Sequence, residues 1–280
     1  MNDGLIGKLR EKGFHFKKGL GQNFITDKNL LAAIVRDSGI SREDTVAEIG
    51  SGAGTLTMEL AAAAKQVHTF EVDPGLKPVL EEMFSGINNI SLHFADVLKL
   101  TDKEIKSIIN GDFAVVANIP YYITTNLIMR FIESGLPVTS LTLTVQKEVA
   151  KRICAREGNP DYGALTLACA LWGDASITRI VKKEVFYPVP KVDSAVVKII
   201  RNPKFGSPEE HKRVTKIIKS AFHMRRKTLI NNLSADFCLP KELLADILAG
   251  CGMAEKTRGE DLPLSAYLAL ARDSRLGNIS

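Results

Sequence analysis

The chain reads as an α/β protein built on a mostly parallel sheet, followed by a small all-helical carboxyl-terminal domain. Three observations predict this. Phe113-Ala114-Val115-Val116-Ala117 is apolar without alternation, the pattern of a parallel strand covered on both faces. Thr45–Ile49 reads as a second such strand, and it runs directly into Gly50-Ser51-Gly52-Ala53-Gly54 and then a helical pattern, a strand–glycine loop–helix unit. Beyond residue 210 only helical spacing remains, through Ile217, Ile218, Ala221 and Phe222, then Leu243, Leu244, Ile247 and Leu248, and finally Leu264, Tyr267 and Leu270. Arg201–Glu210, with Pro203, Gly206 and Pro208, has the composition of a linker, so the domains are expected at 1–201 and 202–280.

Taken in order, residues 8–18 form a basic arm carrying Lys8, Arg10, Lys12, Lys17 and Lys18 among Phe14, His15 and Phe16. Such a run is either a solvated tail or an arm that contacts nucleic acid. Asp27 caps a helix with Leu30, Leu31, Ile34 and Val35 on one face, and Gly39 ends it. The glycine loop at 50–54 lets backbone approach a ligand closely at a helix amino terminus, where N–H groups favour an anion. It is not the dinucleotide fingerprint, because Thr55 stands where the third glycine would be needed. The strand Gln66–Val72 carries Glu71, about twenty residues after the loop, where an acid takes the hydroxyls of a ribose. Asp73, before Pro74 and Gly75, reads as a cap. Ile90–Phe94 is a third strand leading to Asp96, an acceptor suited to an adenine amine or an ordinary turn former. After residue 118, Thr124 or Thr125 caps a helix with Leu127, Ile128, Phe131 and Ile132 inward. Leu141–Val145 is another strand, and Gln146–Arg156 a basic helix with Lys147, Lys151 and Arg152. A helix around 165–171 and strands near 177–181 and 195–200 complete the sheet.

The chemistry concentrates at Asn118-Ile119-Pro120-Tyr121, where the Phe113–Ala117 strand stops. Open α/β sheets bind ligands at that edge. The corner offers an amide side chain, the Ile119 carbonyl, a Pro120 that stiffens the turn without an N–H, and a Tyr121 ring read as exposed. Two acceptors beside a stacking surface suit a flat heterocycle with an exocyclic amine. The lone pair of an adenine N6 is delocalised into the ring, and acceptors that hold its hydrogens favour a pyramidal nitrogen with a localised pair. Asn and Pro are also common turn formers, so the motif alone leaves a plain turn open.

Composition bounds the rest. The 280 residues carry 37 Lys and Arg against 32 Asp and Glu, a net charge of +5, which favours a polyanionic partner. Cys154, Cys169, Cys238 and Cys251 form no C-x-x-C pair and have no histidines at ligand spacing, so reduced thiols and no metal are expected. The first residues lack the apolar core of a signal peptide and no apolar run has membrane-spanning length, which points to a cytoplasmic protein without membrane association.

Gly21-Gln22-Asn23-Phe24, Glu48-Ile49-Gly50-x-Gly52-x-Gly54, Glu71, Asp96, Asn118-Ile119-Pro120-Tyr121 and Pro190-Lys191-Val192-Asp193-Ser194-Ala195-Val196-Val197 stand in the order seen in the ribosomal RNA adenine N6-dimethyltransferases. The chain resembles that family from about Lys17 onward. Ala221-Phe222-x-x-Arg225-Arg226-Lys227-Thr228-Leu229-x-Asn231-Asn232-Leu233 resembles its small-subunit branch. The resemblance implies a Rossmann-like class I methyltransferase with a mostly parallel seven-stranded sheet. It implies S-adenosylmethionine as cofactor, held by Asn23, Ile25, Gly50, Gly52, Glu71, Asp96 and Asn118, with Asn118, Ile119, Pro120 and Tyr121 at the chemistry and Phe186 as a second aromatic near the target. The implied substrate is a pair of adjacent adenines in a 3′-terminal hairpin loop of small-subunit rRNA, met by a monomer within a ribosomal subunit or its assembly intermediate. Lys147, Lys151, Arg152, Arg225, Arg226 and Lys227 are the expected RNA contacts. Ser51 replaces the family's usual Pro, and Pro74-Gly75 a usually charged pair, which bears on loop stiffness.

Competing readings are the large-subunit rRNA methyltransferases that confer macrolide resistance, a nucleotide-dependent dehydrogenase, and a non-catalytic RNA-binding assembly factor. The dehydrogenase shares the glycine loop and Glu71 but gives no reason for the Asn118 corner.

Overall fold

The structure, a computed structural model, describes Lys17, residues 21–224 and residues 226–276. The basic arm other than Lys17, and Arg225, lie outside the described residues. Two compact units emerge, one of residues up to Ala150 with Ser176–Arg201, the other of Lys151–Ala175 with the chain from Asn202 onward.

The first unit is built on strands β2 (Thr45–Ile49), β3 (Gln66–Glu71), β4 (Ile90–Phe94), β5 (Phe113–Asn118), β6 (Val138–Gln146), β7 (Gly173–Val181, of which Ser176 onward belongs here) and β9 (Ser194–Arg201). They form a seven-stranded sheet in the order β4-β3-β2-β5-β6-β9-β7. The pairs among β4, β3, β2, β5 and β6 are parallel, and β9 runs antiparallel to β6. Val46, Val115 and Val116 are fully buried, as expected of central strands covered on both faces, whereas β3 alternates at its start, with Val67 buried between the half-buried Gln66 and His68. The chain lays β2, β3 and β4 outward in one direction and then returns to set β5 and β6 on the other side of β2. At such a reversal the two neighbouring loops lead apart and leave a crevice at the carboxyl ends of the strands, here between the loop after β2 and the corner after β5.

Helix α1 (Lys28–Ser38) precedes β2, and helices α2 (Thr55–Ala63), α3 (Lys77–Met83), α4 (Asp102–Ile108) and α5 (Thr124–Ile132) connect successive strands from β2 to β6. Asp27 caps α1 by accepting from the N–H groups of Asn29 and Leu30, and Gly39 ends it in the left-handed region, both as expected. No side chain caps α5, because a 3-10 turn over Tyr121–Ile123 leads straight into Thr124. Leu31, Ile34, Val46, Leu60, Val67 and Val116 pack as one buried cluster. The sequence gives no strand signal for a small second sheet, in which β1 (Phe24–Ile25) pairs antiparallel with β8 (Phe186–Tyr187).

The second unit is helical, with α7 (Ala164–Trp172), α8 (Pro208–Ala221), α9 (Leu229–Phe237), α10 (Lys241–Gly250) and α11 (Leu264–Arg272). One break between the units coincides with the expected boundary after Arg201. Lys151–Ala175, assigned from sequence to the sheet domain, group instead with the helices. The reason is packing: Leu167 and Leu171 of α7 share a buried cluster with Val214, Ile217, Leu233 and Leu270. Of the other two breaks, one falls within α6 (Lys147–Ile153) and one within β7, between Ala175 and Ser176.

Candidate active site

The crevice holds a cavity of about 630 Å³, lined by Gly21–Ile25, the loop after β2, the end of β3, residues 94–99 after β4, and the corner after β5. That size suits a small ligand or cofactor. Asn23, Ile25, Gly50, Gly52, Glu71, Asp96, Asn118, Ile119, Pro120 and Tyr121, all singled out in the sequence, line this one space.

The loop is drawn onto β3 by the N–H groups of Gly50 and Ser51, which donate to the Phe70 carbonyl. Gly52 has φ +52°, and a Cβ there would lie 3.0 Å from the Phe24 ring, so glycine is required both by conformation and by the close packing of β1. Its N–H donates to Glu71 Oε2 at 2.9 Å, while Glu71 Oε1 accepts from the N–H groups of Val72 and Asp73. Burial pushes the Glu71 carboxyl upward, and these backbone bonds oppose the shift. A carboxylate has about four acceptor positions. Backbone takes three, so Glu71 arrives as a fixed, largely buried acceptor with capacity left on Oε2. Asp96 is less enclosed; its Oδ1 accepts from Leu98 N–H and Lys99 lies 3.6 Å from Oδ2.

At the end of β5, Asn118 donates its Nδ2 to the Asn23 carbonyl at 2.9 Å, which leaves Oδ1 as the acceptor. The Tyr121 hydroxyl shares a 2.6 Å hydrogen bond with Ser194 Oγ, and burial raises its pKa. Tyr121 is therefore not the freely exposed ring expected from sequence. It is half-buried and pinned at its tip, whereas the neighbouring Tyr122 is 62% exposed. Phe186 differs more. It is 2% exposed in the core with Ile25, Leu31 and Ile34, because pairing of β8 with β1 turns Phe186 inward and leaves Tyr187 half-buried against the Phe24 cluster.

Two carboxyls matter more than their sequence context shows. Glu48, within the otherwise apolar β2, is fully buried and lines the cavity. Its Oε2 accepts from Thr57 and Thr69 hydroxyls at 2.5 and 2.6 Å, while Oε1 has no hydrogen-bond partner. Burial lifts its pKa to about 8, with Glu71 adding to the rise. An acid inside a buried strand is the signal that marks it. Asp73 is also fully buried and binds Lys17, Gln22 and Gly75 N–H.

A fixed acceptor at Glu71, an unpartnered oxygen on the Glu48 carboxyl and an apolar floor in one cavity fit a nucleoside cofactor that carries hydroxyls, as S-adenosylmethionine does. Of the expected RNA contacts, Lys147 opens α6 with its N–H on the Asp193 carbonyl, and Lys151, Arg152, Arg226 and Lys227 are exposed. Among the described residues, no group of three or more His, Cys, Asp or Glu is placed to hold a metal, and no helix is long and apolar enough to cross a membrane.

The family model of ribosomal RNA adenine dimethylases matches residues 13–269. The chain is 41% identical to ribosomal RNA small subunit methyltransferase A of Enterococcus faecalis over 271 residues, covering 94% of this chain and 92% of that protein. It is also 41% identical to the protein of the same name from Streptococcus pneumoniae, covering 94% and 93% of the two chains. In structure it resembles a dimethyladenosine transferase from Plasmodium falciparum, with a TM-score of 0.74, 26% identity, and 90% and 97% of the two chains covered. The 23S rRNA methyltransferase ErmE follows at a TM-score of 0.69 and 28% identity, with 91% and 100% covered. With a sheet reversal that places the glycine loop beside an Asn-Ile-Pro-Tyr corner, and with relatives of this likeness along nearly its whole length, the chain belongs to the ribosomal RNA adenine dimethylase family.

Proposed function

We propose that the chain dimethylates N6 of two adjacent adenines in the 3′-terminal hairpin loop of small-subunit rRNA. The observation that carries this reading is the bond from Asn118 Nδ2 to the Asn23 carbonyl, which turns Oδ1 into a fixed acceptor in the same cavity as Glu71. S-adenosylmethionine supplies the methyl group. Asn118 Oδ1 and the Ile119 carbonyl accept the N6 hydrogens and localise the nitrogen lone pair, while the Tyr121 ring, held by Ser194, supports the face of the base. Positioning and preorganised acceptors supply the acceleration, and the nitrogen becomes acidic once its lone pair is used. A product with one methyl keeps one N–H and can be held for a second transfer. A base reaches this corner only after leaving its stack, which loop adenines do at low cost.

Glu71 takes ribose hydroxyls and Asp96 the adenine amine of the cofactor, with Asn23, Ile25, Gly50 and Gly52 completing the pocket. Support for these roles is that all six residues line the cavity. Lys147, Lys151, Arg152, Arg225, Arg226 and Lys227 contact RNA phosphates, residues 202–280 serving as the RNA-holding helical domain, and the protein acts as a cytoplasmic monomer on a ribosomal subunit or its assembly intermediate. The test is transfer of labelled methyl to small-subunit particles from a strain lacking the gene, with primer extension to map the bases. Label on adjacent loop adenines near the 3′ end is the expected result; modification confined to large-subunit rRNA would assign the chain to the resistance branch, and no transfer would leave an assembly factor.

A further inference from the structure

Asp73 lies two residues beyond Glu71 and is 0% exposed, yet both side-chain partners of its carboxylate come from the amino-terminal segment. Lys17 Nζ donates to Oδ1 at 2.6 Å and Gln22 Nε2 to Oδ2 at 2.9 Å, while Gly75 N–H completes the turn at Oδ1. Although burial alone would raise its pKa, Lys17, Gly75 and Gln22 together hold it below the usual range. Its own N–H binds Glu71 Oε1 at 2.8 Å.

Gln22 sits between two contacts with the corner. On one side Gly21 has φ +58° and packs so closely that a Cβ would lie 3.3 Å from both Pro120 and the Tyr122 ring. On the other, the Asn23 carbonyl receives the Asn118 amide. The segment thus touches the corner at both flanks and Asp73 at its centre.

We propose that Asp73 is a positioning residue, a buried latch that sets the segment Gly21–Asn23 and through it the cofactor pocket and the orientation of Asn118. The proposal rests on the reading of Asn118 as acceptor only for its catalytic half. A carboxylate suits this place because it accepts from an ammonium, an amide and a backbone N–H together, which a neutral side chain does less strongly.

The test is Asp73→Asn beside Gln22→Ala and the double variant, each measured for S-adenosylmethionine affinity by calorimetry, for kcat on rRNA, and for thermal midpoint. Asn caps a turn about as well as Asp, so a residue that merely closes the turn at Gly75 leaves affinity and kcat unmoved. The latch instead predicts a roughly three- to tenfold weaker affinity in either single variant, a lower kcat at saturating cofactor, and a double variant no worse than the weaker single, because both break one chain of contacts. Additive losses, or a change in thermal midpoint alone, overturn it. Should Asp73→Asn fail to fold, Gln22→Ala with Lys17→Met carries the same comparison. Failure of the wild type to methylate rRNA would defeat the proposed function, while the affinity cycle would still decide the latch.

Discussion

Asn118 and Asn23 are joined by a single 2.9 Å hydrogen bond from a side-chain amide to a main-chain carbonyl. An amide has both a donor and an acceptor, and only the use of the donor elsewhere makes its oxygen a fixed acceptor for another amine. The bond therefore decides what Asn118 can do.

Asn118→Ala is expected to stay folded and lose methyl transfer by about two orders of magnitude, the scale seen when one preorganised polar group is removed from a reacting centre. Tyr121→Phe should separate ring from hydroxyl. It keeps the stacking face but frees Ser194, so turnover should fall only several-fold, while Tyr121→Ala should lose most of it. Steady-state kinetics on rRNA checks both, and near-wild-type turnover of Asn118→Ala would make the corner a structural turn.

For Glu71, Gln is a better probe than Ala, because Ala would orphan three backbone N–H groups at once. Glu71→Gln keeps the shape and one acceptor oxygen. Removing a charged acceptor from a ligand hydroxyl costs about 1 to 3 kcal/mol, so S-adenosylmethionine should bind roughly five- to hundredfold more weakly. Unchanged calorimetric affinity would dissociate Glu71 from the cofactor.

Glu48 predicts a pH dependence. Its carboxyl sits near 8 in the folded protein against an ordinary 4.5, so between those values the folded state keeps a proton that the unfolded chain gives up. Its contribution to stability is whole below about pH 4.5, declines as pH rises through the window by up to about 1.4 kcal/mol per unit, and levels off above 8. Glu48→Gln mimics the neutral acid. Its thermal midpoint should exceed the wild-type value at pH 8 and converge with it near pH 5; a difference independent of pH would show that Glu48 does not titrate in this range.

Replacing Arg225, Arg226 and Lys227 together by Ala should weaken RNA binding most at low salt. Each lost phosphate contact removes about 0.7 from the log–log salt slope, and S-adenosylmethionine affinity should not move. An unaltered slope would identify Arg226 and Lys227 as a solvated face.

Much of this protein is local and was therefore legible along the chain. Asp27 and Gly39 bound α1, the glycine loop joins β2 to α2, and the apolar run before Asn118 is β5, because caps, turn conformations and burial on both faces depend on neighbouring residues. Glu71, Asp96 and Asn118 were recognisable because Glu71 and Asn118 end parallel strands and Asp96 lies two residues past the end of another, so all three reach the same sheet edge. Tertiary structure alone decided the rest. Asn118 meets a carbonyl 95 residues away, Asp73 meets Gln22 and Lys17 at separations of 51 and 56, and Tyr121 meets Ser194 73 residues on. Phe186 falls into the core because β8 finds β1, and residues 151–175 join the helices because α7 packs on α8. Each of these depends on strand order and on which buried polar group finds a partner, and spacing along a chain encodes neither.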